Sequence, residues 1–541
     1  MAVRGPGVMN KKTLIALVLA VAGFVTALLL PVADLSTAGQ ITLGIFLFAA
    51  VFWVLEPIPI YATSLIVILL QVLLLSAQGP LAQYTVPETV QPVRVEAQLW
   101  EIPATALTED GSVRVKRNDR FQSVEVAVED TTADAAVVRS ADLDEDTALA
   151  RRAGHWQAEF APPSYTVFLN TLANPIIILF LGGFVMAAGA SKYKVDRNLI
   201  RIILRPFGTR PASVMIGMMA ITALLSAFMS NTATTAMMMA VVLPIISAAP
   251  EGDRFRIGVA LCIPFAANLG GIATPIGTPP NAIALGALSQ QGVSIPFTTW
   301  MGLTVPLVAL MLVFTWFLLL KVFPSREQNL ALELKGTFET SPKAWALYIV
   351  AGATILLWVT EALHGLSSSL VALIPVALLT AFQVVEKKEV RNLPWEVLWL
   401  MAGGLALGVA MRETGLAEWM VGMVPWGALG AAGALAVFGI VAIVLSNFIS
   451  NTVAATLLMP LVMSFVASGM AEGFALTTAA LTVAVGTSLA MALPVSTPPN
   501  AIAVSTGLIR TPDMVKMGIV IGTVGYGAVL AMAFLFWNLI F

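Results

Sequence analysis

Apolar residues come in long blocks along this chain: Thr13 to Val32, Ile41 to Val54, Ser64 to Leu75, Ile176 to Ala190, Trp345 to Val359 and Gly518 to Phe541. Each approaches the roughly 20 residues that cross a bilayer. The pattern predicts about eleven spans plus two shorter broken elements. Polar interruptions inside the blocks are few and they recur. "FMSNTATTA" at 228–236 and "FISNTVAAT" at 448–456 share a Ser-Asn-Thr trio, and "GTPPNAIALG" at 277–286 returns as "STPPNAIAVS" at 496–505.

Composition agrees with the pattern. Of 541 residues, 58% are hydrophobic and 11% charged, against roughly a quarter charged in an ordinary soluble domain. The chain reads as an integral membrane protein. The block after Lys11-Lys12 exceeds a secretory signal's apolar core and no clean A-x-A site follows, so a retained first helix is expected. One cysteine, Cys262, excludes a disulfide framework, and two histidines, His155 and His364, leave no His/Cys/carboxylate metal cluster. No nucleic-acid partner is expected.

The chain also repeats itself. Gly182-Gly183 aligns with Gly403-Gly404 at an offset of 221, the trios at 220, and the Thr-Pro-Pro-Asn motifs at 219. "WVLEPI" at 53–58 resembles "WVTEAL" at 358–363 at an offset of 305, so the first half carries about 84 extra residues. They lie at 78–163, which hold 15 of the 31 acidic residues and 8 of the 29 basic ones. Alternation in "SVRVKRNDRFQSVEVAVE" predicts a strand pair turning near Asn118-Asp119, and hence a small β-rich insert.

With the N-terminus inside, 20 of the 21 basic residues outside the insert fall on the cytoplasmic side and only Arg412 falls outside. The insert and the C-terminus are then extracytoplasmic, and the two halves run in opposite senses. The expected fold is all-α and polytopic, with re-entrant hairpins in inverted repeats. Its parts are first helices at 1–77, the insert at 78–163, the rest of repeat 1 at 164–325, a cytoplasmic linker at 326–343 and repeat 2 at 344–541. The hairpins are expected at 211–248 and 422–471, and the broken helices at 257–288 and 474–506. Inverted repeats with matched interruptions are a signature of secondary transporters.

Residues 211–250, 257–320, 419–471 and 473–509 contain no charged side chain. Acid-base catalysis needs a titratable group beside the reacting atom, so no enzyme is expected. Binding fits better. Ser, Asn and Thr disfavour helix interiors and cap helix starts, where free N–H groups attract anions. The paired prolines free carbonyls that only a protein-lined site tolerates at membrane depth. Hydroxyls, amide oxygens and carbonyls are hard ligands that suit sodium. Ser226 precedes Ser230 by one turn and Ser446 precedes Ser450 likewise, so each pair is expected on one helical face. A dianion entering such a site needs compensation from helix ends and cations, since burying it unpaired is costly.

The paired Ser-Asn-Thr and Thr-Pro-Pro-Asn motifs resemble those of the divalent anion:sodium symporter (DASS) family, which includes the INDY-type citrate and dicarboxylate carriers. The likeness covers nearly the whole chain except 78–163. It implies a homodimer in the bacterial cytoplasmic membrane, scaffold and transport domains, and elevator movement. One sodium site would use Ser226, Ser230, Asn231 and the backbone near Gly277; the other would use Ser446, Ser450, Asn451 and the backbone near Ser496. Substrate carboxylates would meet Asn231, Thr232, Asn451 and Thr452, with Thr278, Thr497 and Pro498 nearby. The implied function is sodium-coupled symport of dicarboxylates, with two or more sodium ions as coupling ions; exchange of dicarboxylates or sodium-coupled sulfate transport are the alternatives. Ser496 departs from the usual Gly or Ala and adds a hydroxyl. For the glycine pairs, close helix packing is expected rather than ligand contact, and for Glu56 and Glu361, capping or interfacial anchoring.

Overall fold

The computed structural model describes residues 11–29, 35–80, most of 88–151, 162–195, 205–329 apart from 249 and 251, 339–469 apart from 425, 427 and 428, and 473–540. Asn118 and Asp119 lie outside the described residues. Among the described residues nine helices are long and apolar enough to cross a membrane, and six further apolar helices are shorter. Three of the shorter ones, Asn231–Leu243, Asn451–Ala467 and Leu476–Ser488, lie beside the polar and proline breaks.

The chain divides into two compact units, Met1–Leu172 with Ala406–Val424, and Ala173–Leu405 with Pro425–Phe541. In the first, α1 (Lys11–Leu29) packs on α2 (Thr37–Leu55), and α2 on α3 (Ile60–Leu75). Ser36 caps α2, accepting from the Gly39 N–H at 3.0 Å. Glu56 closes α2 in the left-handed region at φ 47°, and its N–H donates to the Phe52 carbonyl at 3.0 Å.

Among its described residues the same unit holds eight strands: β1 (Glu88–Val90), β2 (Val93–Glu96), β3 (Leu99–Pro103), β4 (Ser112–Arg117), β5 (Arg120–Glu125), β6 (Ala127–Thr131), β7 (Ala135–Arg139) and β8 (Leu149–Arg151). They form two antiparallel sheets, ordered β1-β8-β4-β5 and β2-β3-β7-β6. Alternate residues point inward as the pleat requires, so Trp100, Ile102, Val113, Val115, Ala136, Val138 and Leu149 share one core drawn from both sheets. The strands leave and return at one point: the Ala77 N–H donates to the Pro163 carbonyl at 2.9 Å and the Tyr165 N–H to Gln78 Oε1 at 3.1 Å.

The second unit carries the repeats. Its helices are α4 (Pro175–Lys192), α5 (Pro211–Phe228), α6 (Asn231–Ala248), α7 (Phe255–Ile272), α8 (Pro279–Gln290), α9 (Phe297–Val322), α10 (Pro342–Val359), α11 (Trp395–Glu413, shared with the first unit), α12 (Gly430–Phe448), α13 (Asn451–Ala467), α14 (Leu476–Ser488), α15 (Pro498–Ser505) and α16 (Thr511–Met532). The rising limb of the second hairpin starts at Gly430 rather than near 422, because Leu416–Gly422 is a helix of its own. Packing between the halves is reciprocal: α6 lies on α15, and α13 lies on α8. Gly182 sits against the Ala372 backbone, where an added Cβ would lie 2.6 Å from the carbonyl oxygen. Glu361 accepts from the Phe297 N–H at 3.2 Å and so caps α9.

Candidate functional site

Each hairpin turns in the same way. Met229 follows α5 at φ −130°, ψ 164°, and Ile449 follows α12 at φ −126°, ψ 172°. The chain is extended there for one residue, then Ser230 and Ser450 cap α6 and α13, accepting from the Ala233 and Val453 N–H groups, each at 3.2 Å. This corrects the spacing argument: α5 ends at Phe228, so Ser226 and Ser230 do not share a helical face. Across the turn Ser226 meets Asn231 instead.

Three oxygens converge at each turn. Ser226 Oγ lies 2.6 Å from Asn231 Oδ1 and 2.8 Å from the Ala267 carbonyl oxygen. Ser446 Oγ lies 2.8 Å from Asn451 Oδ1 and 2.9 Å from the Thr487 carbonyl oxygen. Both serines are fully buried. A hydroxyl has one proton, so with the amide oxygen turned inward three oxygens share a single donor, an arrangement that could hold a small cation. With the amide nitrogen turned inward the network closes by itself. Which amide face turns inward is assigned by geometry, and the oxygen-inward face leaves each set short of a donor. Gly271 makes room, since a Cβ there would lie 2.6 Å from Asn231 Oδ1.

The broken helices supply the walls. Thr278 (φ −146°, ψ 144°) and Thr497 (φ −141°, ψ 146°) start α8 and α15 in matching extended conformations, each followed by two prolines in the first turn. The motif's asparagine does not face a ligand. Asn281 Nδ2 donates to the Gly271 and Thr274 carbonyls at 2.9 and 2.8 Å, and Asn500 Nδ2 to Met491 and Leu493 at 2.9 and 3.0 Å. These fully buried amides capture carbonyls of the breaks and hold the loops closed.

The halves differ in detail. In the first, the Thr274 hydroxyl donates to the Ala227 carbonyl. In the second, Ser496 takes that part, donating to the Asn447 carbonyl at 3.0 Å and accepting from the Leu493 N–H at 3.1 Å. The hydroxyl that Ser496 adds is therefore spent inside the loop. Gly277, its counterpart, cannot carry a side chain because a Cβ would run into the Gly271 carbonyl. Asn447 adds a further tie, accepting from the Ala492 N–H at 2.9 Å.

Of the expected residues, Ser226 with Asn231 and Ser446 with Asn451 are brought together. Thr278 and Thr497 are buried beside the loops, Asn231, Asn451 and Thr452 are half-buried, and Thr232 and Pro498 are exposed. Ser230 and Ser450 face their own helix starts. Among the described residues no three His, Cys, Asp or Glu side chains cluster as metal ligands, and the oxygens at the two turns are neutral hydroxyl, amide and carbonyl groups. Sequence reasoning missed Asn268 and Asn447. Asn447 stands three residues before a trio and was open to notice; Asn268 is a lone polar residue in an apolar run whose partners lie more than 220 residues away.

The citrate transporter family (CitMHS) matches residues 156–486, more than half of the chain. A sodium-dependent dicarboxylate transporter SdcS of Staphylococcus saprophyticus is 30% identical over 283 residues, covering 46% of this chain and 54% of that one. A sodium-dependent high-affinity dicarboxylate transporter 3 of Caenorhabditis elegans is 28% identical over 339 residues, 48% of this chain and 60% of that one. An uncharacterised transporter of Schizosaccharomyces pombe is 29% identical over 293 residues, 53% of this chain and 33% of that one. The chain thus spans about half the length of the curated relatives it matches. Among solved structures, the Alcanivorax borkumensis YdaH transporter aligns over 69% of this chain and 89% of that one, at 12% identity and a TM-score of 0.49.

Proposed function

The chain belongs to the citrate transporter family, a family of multi-pass membrane transporters and not of enzymes, and from that premise we propose that it carries dicarboxylates of the succinate, malate, fumarate or citrate class in symport with sodium. One observation carries the reading: each half holds a buried serine hydroxyl between an asparagine amide and a helix carbonyl, in segments without a charged side chain beyond Arg256 at the start of α7. That is a pair of neutral oxygen sets for two cations. The relatives named as sodium-dependent dicarboxylate transporters support the same pairing of ion and anion.

The dianion's charge is compensated on this account. A dicarboxylate brings two negative charges. The starts of α6 and α13 offer roughly half a positive charge each, and two sodium ions offer two more. Without the sodium ions the dianion would meet mainly dipoles, so binding of ion and anion is coupled. In the proposed mechanism the site crosses the membrane by elevator movement of a transport domain in a homodimer. The N-terminus lies inside, and the C-terminus and residues 78–163 lie on the extracytoplasmic side of the cytoplasmic membrane.

Uptake of labelled succinate into proteoliposomes tests the proposal. It should rise steeply with an inward sodium gradient. Uptake indifferent to sodium but dependent on internal dicarboxylate would replace symport by exchange, and sulfate competing better than succinate would change the substrate class.

A further inference from the structure

We infer that Asn268, on the first half's α7, is a positioning residue that fixes the second half's Thr497 hydroxyl as an obligate hydrogen-bond donor toward an anionic substrate; this rests on the transport function proposed above. The orientation of every amide in the set follows from its neighbours. Asn500 Nδ2 is held by two carbonyls, Met491 and Leu493, so its Oδ1 must face the other way. There it lies 3.3 Å from Asn268, which must therefore present its own Nδ2. The second proton of that nitrogen goes to Thr497 Oγ1 at 3.2 Å.

Thr497 Oγ1 also accepts from the Asn500 backbone N–H at 3.3 Å. A hydroxyl oxygen accepts two hydrogen bonds and donates one. With both acceptor places filled, only the proton of Thr497 remains to be offered. A hydroxyl that can only donate favours a carboxylate and disfavours a cation or a second donor. Asn268 and Thr497 are 2% and 4% exposed, so water does not readily replace either bond.

The other half lacks this device. Matched by the serine-to-carbonyl contacts, Ser226 to Ala267 and Ser446 to Thr487, the position equivalent to Asn268 is Ser488. Its hydroxyl donates to the Ala484 carbonyl of its own helix at 3.0 Å. Accordingly Asn281 Oδ1, the counterpart of the Asn500 oxygen, is buried without a partner, and Thr278 caps nothing with its side chain. Two sites that look alike in sequence are thus unequal: the Thr497 side is set to receive an anion, while the Thr278 hydroxyl keeps an open choice between donating and accepting.

The experiment is a double-mutant cycle on the full chain, with Asn268→Ser, Thr497→Val and the pair. Succinate is titrated at saturating sodium and the thermal stabilisation of the purified protein is read. Thr497→Val should raise the half-saturating succinate concentration by about tenfold or more, the scale of a hydrogen bond to a charged group, and Asn268→Ser by roughly threefold to tenfold, since Thr497 keeps its proton but is no longer held to donating it. The double variant should match Thr497→Val within about twofold, since Asn268 acts only through that hydroxyl. Half-saturation for sodium, read by thermal stabilisation without succinate, should stay within about twofold in all three. An additive double variant, an unchanged Asn268→Ser, or sodium binding weakened as much as succinate binding would overturn the inference; Asn268→Leu, close in size, serves as the second variant if Asn268→Ser melts early. Wild type that succinate does not stabilise overturns the substrate class and this inference with it, whereas wild type that responds normally while the variants match it overturns the inference alone.

Discussion

Replacing Ser226 by alanine separates the cost to the fold from the cost to the ion. The hydroxyl makes one hydrogen bond at a time, to the Ala267 carbonyl or to the Asn231 amide, and the Ala267 carbonyl sits inside α7 with its own helical partner in reach. Losing the hydroxyl should lower stability by about 1 kcal/mol, the net worth of one intramolecular hydrogen bond. Sodium has more to lose. A ligand bonded to a charge is worth about 1.5–3 kcal/mol, which is about 10–100-fold in affinity. Ser446→Ala should behave alike in the second half, where the distances are 2.8 and 2.9 Å. The assay is sodium titration of succinate uptake, with the sodium-free melting temperature of the detergent-purified protein measured in parallel. Expected are a small loss of melting temperature and a large rightward shift in sodium dependence for both variants. Sodium half-saturation within twofold of wild type in both, at normal uptake, would refute the oxygen-triad account of the cation sites.

Three further outcomes follow from other parts of the structure. Gly182→Ala should cost about 1–3 kcal/mol in thermal unfolding, because the new Cβ would lie 2.6 Å from the Ala372 carbonyl oxygen, while Gly527→Ala, with nothing within 4 Å, should be tolerated. Glu386 and Glu389 are both held below the ordinary carboxylate range, Glu386 chiefly by the Lys192 hydrogen bond and Glu389 chiefly by the Glu386 N–H. Because their folded-state values are depressed, the stability they contribute is present above the ordinary range and is lost as pH falls through the lowered values; Glu389→Gln should flatten that acid limb in melting scans from pH 7 to pH 3. Deleting residues 80–160 should leave succinate uptake within about twofold, since the segment leaves and returns across the 2.9 Å bond between Ala77 and Pro163 and loop closure there costs little.

The helices, both hairpin turns and both breaks are legible in the sequence for one reason. Ser-Asn-Thr and Thr-Pro-Pro-Asn are poor helix interiors set in apolar runs, so the chain marks its own interruptions. The spacing of four between Ser226 and Ser230 reads as one helical face, but the helix ends at Phe228, and it is Asn231 that Ser226 meets across the turn. The repeat offset drifts from 220 to 219 between Ala267/Thr487 and Thr278/Thr497, so the first half carries one residue more over that stretch, and there Thr274 does in one half what Ser496 does in the other. Ser496 looked like a spare ligand because a sequence does not show that Asn447 claims its hydroxyl. Asn268 was beyond reach altogether, because its meaning depends on Thr497 and Asn500, and its own repeat partner is a serine.

The reciprocal seating of α6 on α15 and of α13 on α8 has a consequence for biogenesis. When the ribosome has finished α8, the helix against which α6 will rest still lies about 220 residues ahead. At about 5–20 residues per second, that is an interval of roughly 10–40 s, during which an uncharged, apolar hairpin with a polar turn waits in the bilayer with no second half to cover it. Lipid or a membrane chaperone must shelter it, and substitutions that slow translation of 430–505 should be felt first as lost yield, before any change in transport.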